Sequence, residues 1–225
     1  MDILYSMPGQ SHRLFINFIY ACPNSCFFCV DFKGDTFYGF DLKRGKRPTQ
    51  ADILAALNQF ENKRDIKEIY FCGIGEPLLV YDLVLEVAKR TREIFGNKVL
   101  LGINTSGTFF KANPEVGFCK YFDIVQVSLN AENELKYNEI CRPKFKGAYK
   151  TVMHFLNALK KYIVENQIPV KVELSVVDTS NGTHLPKWAS DNGDIPLPDF
   201  DKCKVIADGF GWDLKIKTLL EDSHL

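Results

Sequence analysis

RLFINFIYACPNSCFFC, residues 13–29, joins a run of β-branched and aromatic side chains to a loop that holds three of the chain's seven cysteines, Cys22, Cys26 and Cys29. Residues 13–20 read as a strand, because Ile, Phe and Tyr favour the extended, half-buried backbone. Pro23, Asn24 and Ser25 are turn formers, so the strand ends before the thiols. The cysteines are spaced three and then two residues apart, on a loop from which thiolates can converge on one ion or cluster.

Four readings of these thiols follow from chemistry alone. A structural zinc site calls for two close cysteine or histidine pairs, and no second close pair exists among the remaining cysteines and the four scattered histidines. A redox pair made of Cys26 and Cys29 leaves Cys22 without a role. Cysteines acting as small apolar core residues suit Cys72, Cys119, Cys141 and Cys203 better than three thiols in a polar loop. The last reading is an iron-sulfur cluster held by three thiolates, which leaves one iron open to a further ligand.

Composition bounds the setting. The chain has 225 residues, 46% hydrophobic and 25% charged, enough for one domain, 1–225, with a substantial core. Lys plus Arg and Asp plus Glu both number 28, so net charge indicates neither nucleic acid nor an acidic membrane as a partner. The first twenty residues lack the pattern of a secretory signal, and no apolar run is long enough for a bilayer. A soluble cytoplasmic protein is expected, and in that reducing compartment clustered cysteines point to metal binding or catalysis.

Working outward, strand-like runs alternate with helix-like segments. Strands are expected in 13–20, 67–73, 98–107, 122–130, 169–178 and the WDLKIKTLL stretch, and helices in PTQADILAALNQFENK, YDLVLEVAKRTREIF, 147–165 and DFDKCKVIADGF. Six such units fit an α/β fold of the open or partial (β/α)6 barrel type better than a closed barrel of eight. A doubly wound sheet has the same periodicity, so only motif position separates the two. Two loops are long, 31–48 and 178–198, and both follow strands. They are expected at the C-terminal edge of the sheet, where α/β enzymes place their chemistry.

A second motif stands after the second strand. FCGIGEPLL, residues 71–79, combines glycines that permit close backbone approach, Glu76 as a charge, and Pro77 to stiffen the turn. On its own this is a tight turn. Together with CxxxCxxC one strand earlier, and with aromatic Phe28 before the last cysteine, it resembles the radical SAM enzymes. The resemblance implies a partial (β/α)6 barrel, a 4Fe-4S cluster ligated by Cys22, Cys26 and Cys29, and S-adenosylmethionine bound to the open iron through its amino and carboxylate groups. It further implies adenine near Phe28 and the methionine amino group near Gly73, Gly75, Glu76 and Pro77. The family's paired glycines before the glutamate are here Ile74 and Gly75.

The ends of strands three and four, INTSG and VSLNA, offer Asn104, Ser106, Ser128 and Asn130 as residues facing the ribose or the substrate. A strand-end turn or helix cap is the structural alternative for each. Arg142 can pair with a carboxylate or form an ordinary surface ion pair.

FCGIGEPLL, INTSG, VSLNAENELKYNEICRPKFKGAY and the closing DKCKVIADGFGWDLKIKT are similar to the small TatD-associated radical SAM proteins, from which the insertion 179–197 departs. No cysteine-rich extension for auxiliary clusters follows the barrel. The basic run Lys33, Lys43, Arg44, Lys46 and Arg47 is either a solvated loop or a docking face for an electron donor such as flavodoxin or ferredoxin, or for a phosphate-bearing substrate. A small-molecule or macromolecular substrate is expected, unidentified by sequence. Two other classes are an activase that installs a radical on a partner protein and a non-enzymatic metal-binding protein.

Overall fold

Period-2 alternation divides the strands between two faces. In β2 (Arg13–Ile16) and β3 (Glu68–Phe71), Leu14, Ile16, Ile69 and Phe71 enter the main core, while Phe15 and Tyr70 enter a separate cluster on the opposite face. β4 (Leu100–Thr105), β5 (Ile124–Ser128), β6 (Lys171–Asp178) and β7 (Asp213–Thr218) complete the parallel set. The structure, a computed structural model, describes residues 1–29, 36–43, 45–109, 114–180 and 195–218. The expected insertion 179–197 and basic run therefore fall partly outside the described residues, at 181–194, Lys33 and Arg44.

The strands pair in chain order, β1 to β7, and every pairing from β2 onward is parallel. That order decides between the two candidate folds. A doubly wound sheet reverses direction at its switch point and covers both faces with helices. A sheet that advances one way through right-handed crossovers puts its helices on one side and coils around the other. The fold is the expected partial (β/α)6 barrel.

Two elements escape the sequence reading. β1 (Leu4–Tyr5) is a two-residue strand antiparallel to β2, too short to show a period, and it covers that edge of the sheet. α3 (Glu134–Cys141) has little amphipathic signal; it is defined by Asn133, whose side chain accepts from the Lys136 N–H at 2.9 Å.

The other helices have legible causes. α1 (Gln50–Gln59) starts in a reciprocal capping box between Thr49 and Asp52. α2 (Tyr81–Phe95) and α4 (Ala148–Asn166) bury stripes at helical spacing, Val84, Val87, Ala88 and Thr91 in the first, Ala148, Val152, Phe155, Leu156 and Leu159 in the second. α5 (Phe200–Phe210) is capped by Asp199 and ends at Gly211, whose φ of 70° suits glycine. Between β4 and β5 the described connection holds a 3₁₀ turn at Gly117–Tyr121.

The inner face is closed at depth by aromatic packing. Tyr5 stacks on Phe15 with ring centroids 5.0 Å apart, and Phe15 lies 6.0 Å from Tyr70. Tyr70 covers Gly102, its partner on β4, so closely that a Cβ there would lie 2.4 Å from a ring carbon. Gly102→Ala should therefore destabilise the protein by about 1–3 kcal/mol through overpacking, with most of the loss recovered in a Gly102→Ala, Tyr70→Leu double variant. Urea unfolding of the four proteins checks this; a fully additive double variant contradicts it.

Candidate active site

The cysteine loop is fixed by the end of α3. The Ser25 and Phe27 N–H groups donate to the carbonyls of Cys141 and Ile140 at 2.9 and 3.1 Å, carbonyls of a last helical turn that lack an intrahelical partner. Lys144 donates twice to the same loop, from its N–H to the Pro23 carbonyl and from Nζ to the Cys22 carbonyl, both at 2.9 Å. Asn24 Nδ2 donates to the Tyr137 hydroxyl at 3.0 Å. Phe27 is fully buried in the core, while its neighbour Phe28 turns to the cavity wall.

Cys22, Cys26 and Cys29 all line that one cavity. Burial, reinforced by the charge of Glu76, pushes the Cys22 thiol up to about 12. The Cys26 thiol is also raised, first by a hydrogen bond with the Cys141 thiol and then by burial. Among the described residues no three His, Cys, Asp or Glu side chains are gathered closely enough to hold a metal ion, so a shared ligand requires these thiols to turn toward it.

The Gly73 to Pro77 turn is pressed against the cysteine loop. A Cβ on Gly75 would lie 2.2 Å from the Ile19 carbonyl oxygen and 2.6 Å from that of Ala21, and one on Gly73 would lie 2.0 Å from Asn17 Oδ1. The space at both glycines is taken by the chain's own atoms. The Glu76 N–H donates to the Ala21 carbonyl at 2.9 Å, which ties turn to loop. Ile74, where the family has glycine, packs into the inner cluster with Phe15 and Tyr70.

Glu76 is 2% exposed, and its carboxylate faces the protein. Oε1 accepts from Leu78 N–H at 3.1 Å and Thr105 Oγ1 at 2.7 Å; Oε2 accepts from the Ser106 N–H at 2.6 Å and Ser106 Oγ at 2.7 Å. Burial raises its pKa, and these four donors oppose that rise by favouring the ionised form. The carboxylate thereby binds the end of β4 to the turn after β3. Pro77 begins the 3₁₀ turn Pro77–Val80, buried behind the cavity wall.

The cavity encloses about 510 Å³, and residues at the C-terminal ends of the strands, among them Cys72, Thr105, Ser128 and Thr218, line it. Asn104, Ser106, Ser128 and Asn130 join its wall, as do Gly73, Gly75 and Glu76. Asn130 adopts φ 59° and donates through Nδ2 to Cys141 Sγ at 3.3 Å, so it also braces α3. Arg142 lies elsewhere, exposed at the left-handed C-cap of α3.

One assignment needs correction. Cys119, Cys141 and Cys203 are buried core cysteines as expected, but Cys72 faces the cavity and its Sγ accepts from Asn104 Nδ2 at 3.2 Å. Strand alternation groups it with Tyr70 on one face and sets Ile69 and Phe71 on the other, but does not say which face is the lumen. Asn24, Gln126 and Lys217 are further wall residues that motif reading missed. The Oδ1 atoms of Asn24 and Asn104 are buried with no hydrogen-bond partner among the described residues, two acceptors available to a ligand.

Comparison with known proteins bears on the family and the fold. The family model described as the radical SAM superfamily matches residues 16–189. Among solved structures, "Native anSMEcpe with bound AdoMet" superposes with a TM-score of 0.54 at 16% identity, over 92% of this chain and 51% of that one. The same protein with AdoMet and Cp18Cys peptide gives 0.56 at 15% identity, over 92% and 50%. HydG, a maturase of the FeFe-hydrogenase, gives 0.54 at 13% identity, over 93% and 42%. The chain thus spans about half the length of these structures or less, and the likeness is one of fold. No curated protein matches it. Among the described residues no helix is long and apolar enough to cross a membrane. With the family match running from the first parallel strand to beyond the sixth strand of the sheet, this chain belongs to the radical SAM superfamily and is an enzyme of that superfamily.

Proposed function

We propose that Cys22, Cys26 and Cys29 ligate a 4Fe-4S cluster and that the chain binds S-adenosylmethionine beside it and cleaves the cofactor reductively. The observation that carries this reading is the contact between the cysteine loop and the glycine turn, which gives one cavity both three thiols and unpaired polar acceptors. When bound, the cluster supplies the electron that splits S-adenosylmethionine into methionine and a 5'-deoxyadenosyl radical.

The chain's own residues have separable tasks. The three thiols must lose their protons on binding iron, so burial that raises Cys22 and Cys26 makes cluster uptake release protons and favours it at higher pH. Asn24 Oδ1 accepts from ammonium or hydroxyl donors of the cofactor. Glu76 keeps the turn and the β4 end in place and leaves cofactor contact to the backbone around it. Phe28 and the aromatic floor of Tyr5, Phe15 and Tyr70 limit water in the cavity. The substrate enters from the open mouth, and the branch we assign is the small TatD-associated group.

An acidic electron donor of the flavodoxin or ferredoxin type is proposed to dock on the loop before α1, where Lys46 and Arg47 are exposed. Lys46→Gln, Arg47→Gln should slow reduction by flavodoxin several-fold at low ionic strength and little in 0.5 M salt, since exposed charges are screened. Equal rates at both ionic strengths refute the docking face. For the cluster, Cys22→Ala, Cys26→Ala and Cys29→Ala should each lose most iron and visible absorbance after anaerobic reconstitution, and Cys119→Ala should retain both. Full iron loading of any of the three variants overturns the ligand assignment.

A further inference from the structure

Among the described residues, four charged ones line the cavity, Arg13, Glu76, Lys215 and Lys217, and the protein supplies partners to the first two. Arg13 is paired with Glu68, its Nε donating to Oε2 at 2.6 Å. Glu76 has its four donors. Lys215 is exposed to solvent on the edge strand β7. Lys217 differs from all of these.

Lys217 is in the last described turn of β7, opposite Val177 of β6, and its side chain enters the lumen. Among the described residues it forms no ion pair and no hydrogen bond. Lys217 and Cys72, which follows β3, line the same cavity, and the Cys72 thiol is among the groups whose charge acts on the lysine. Burial lowers its pKa from the ordinary lysine value, Lys215 adds a repulsive charge, and Glu173 is a weaker attraction. Glu173 itself is already held by Lys171 at 2.8 Å and by Gln126 Nε2 at 3.1 Å. A partly buried cation with no counter-charge among the described residues is unfavourable in the free protein, and an incoming anion removes that penalty.

A second, independent feature lies beside it. Asn104 spends its amide donor on Cys72 Sγ, which leaves Oδ1 buried and unpaired in the same wall. The two groups ask for complementary chemistry, an anion at Lys217 and an N–H or O–H donor at Asn104.

We infer that Lys217 receives a carboxylate or phosphate group of the substrate while Asn104 Oδ1 accepts a hydrogen bond from the same molecule. The substrate class is therefore an anionic small molecule, or an anionic end of a larger one, bearing a nearby N–H or O–H donor. This deepens the reading of the cavity as a site for S-adenosylmethionine cleavage and rests on it. S-adenosylmethionine also carries a carboxylate; Lys217 stands on β7, the strand at the far end of the sheet order from β2 and β3, which precede the thiol loop and the glycine turn, and its assignment to the substrate is separated from the cofactor by titration with each.

The test uses the full chain after anaerobic reconstitution, with inorganic phosphate as the probe. Calorimetric titration should show saturable phosphate binding to the wild type, at least tenfold weaker binding to Lys217→Met, and binding within threefold of wild type for Lys217→Arg. Because Lys217→Met removes a half-buried charge with no partner among the described residues, its melting temperature without phosphate should equal or exceed that of the wild type, and phosphate should raise only the wild-type value. Lys217→Gln provides the same comparison if Lys217→Met does not fold. Equal phosphate affinities, no phosphate binding by the wild type, or a lower melting point in both uncharged variants overturns the inference. A separate titration with S-adenosylmethionine distinguishes the source of the anion. Affinity within twofold of wild type in Lys217→Met supports the substrate, and a tenfold loss assigns Lys217 to the cofactor and overturns the proposal. Phosphate binding is read as heat and needs no cleavage, so failure of the cofactor reading appears separately, as a wild type that binds no S-adenosylmethionine.

Discussion

The close approach of Gly75 to the carbonyls of Ile19 and Ala21 is the constraint on which the site depends. Two segments from successive barrel strands, 13–29 and 71–79, meet there with no room for a side chain. The Glu76 N–H then donates to Ala21, and the Glu76 carboxylate gathers Thr105 and Ser106 from the next strand. Three strand ends are thereby joined by one glycine and one buried acid. Burial disfavours the charged form of this carboxylate and its donors favour it, so each of the four bonds supports the other three. Any residue at 75 with a Cβ separates the loop from the turn.

The second fixed point is α3. Its last carbonyls would be unsatisfied in isolation, and the cysteine loop supplies their donors through Ser25 and Phe27. Cys141 has three connections at this junction: its carbonyl accepts from Ser25, its thiol interacts with Cys26, and it accepts from Asn130. The thiol loop is consequently held on one side by a glycine turn and on the other by a helix end. Both supports come from outside residues 21–29, and the spacing of the cysteines alone does not reveal them.

Much of the fold was legible because it is local. The six parallel strands and four of the helices follow from periodicity and caps, and their order around the sheet agrees with the barrel that the paired motifs implied. β1 and α3 were not legible, the first because two residues show no period and the second because its stability comes from what its end receives. At the site, eight of the nine residues named beyond the cysteines line the cavity, Pro77 being the exception. Cys72 was read as a core residue because FC follows a β-rich run, and only the coil of the sheet shows which side of that alternation is the lumen. Lys217 was invisible for the same reason, since a lysine on a terminal strand ordinarily faces water. Gly73 and Gly75 were noticed for their freedom, but the atoms that require it, Asn17, Ile19 and Ala21, lie more than fifty residues away.

The most direct test is the yield of 5'-deoxyadenosine from anaerobically reconstituted protein reduced with dithionite in the presence of S-adenosylmethionine, compared between wild type and Gly75→Val at equal iron content. Joining of the cysteine loop to the glycine turn predicts cleavage by the wild type and at least a tenfold lower yield from Gly75→Val. Equal yields from the two proteins, or no product from a wild type carrying its full cluster, would contradict it.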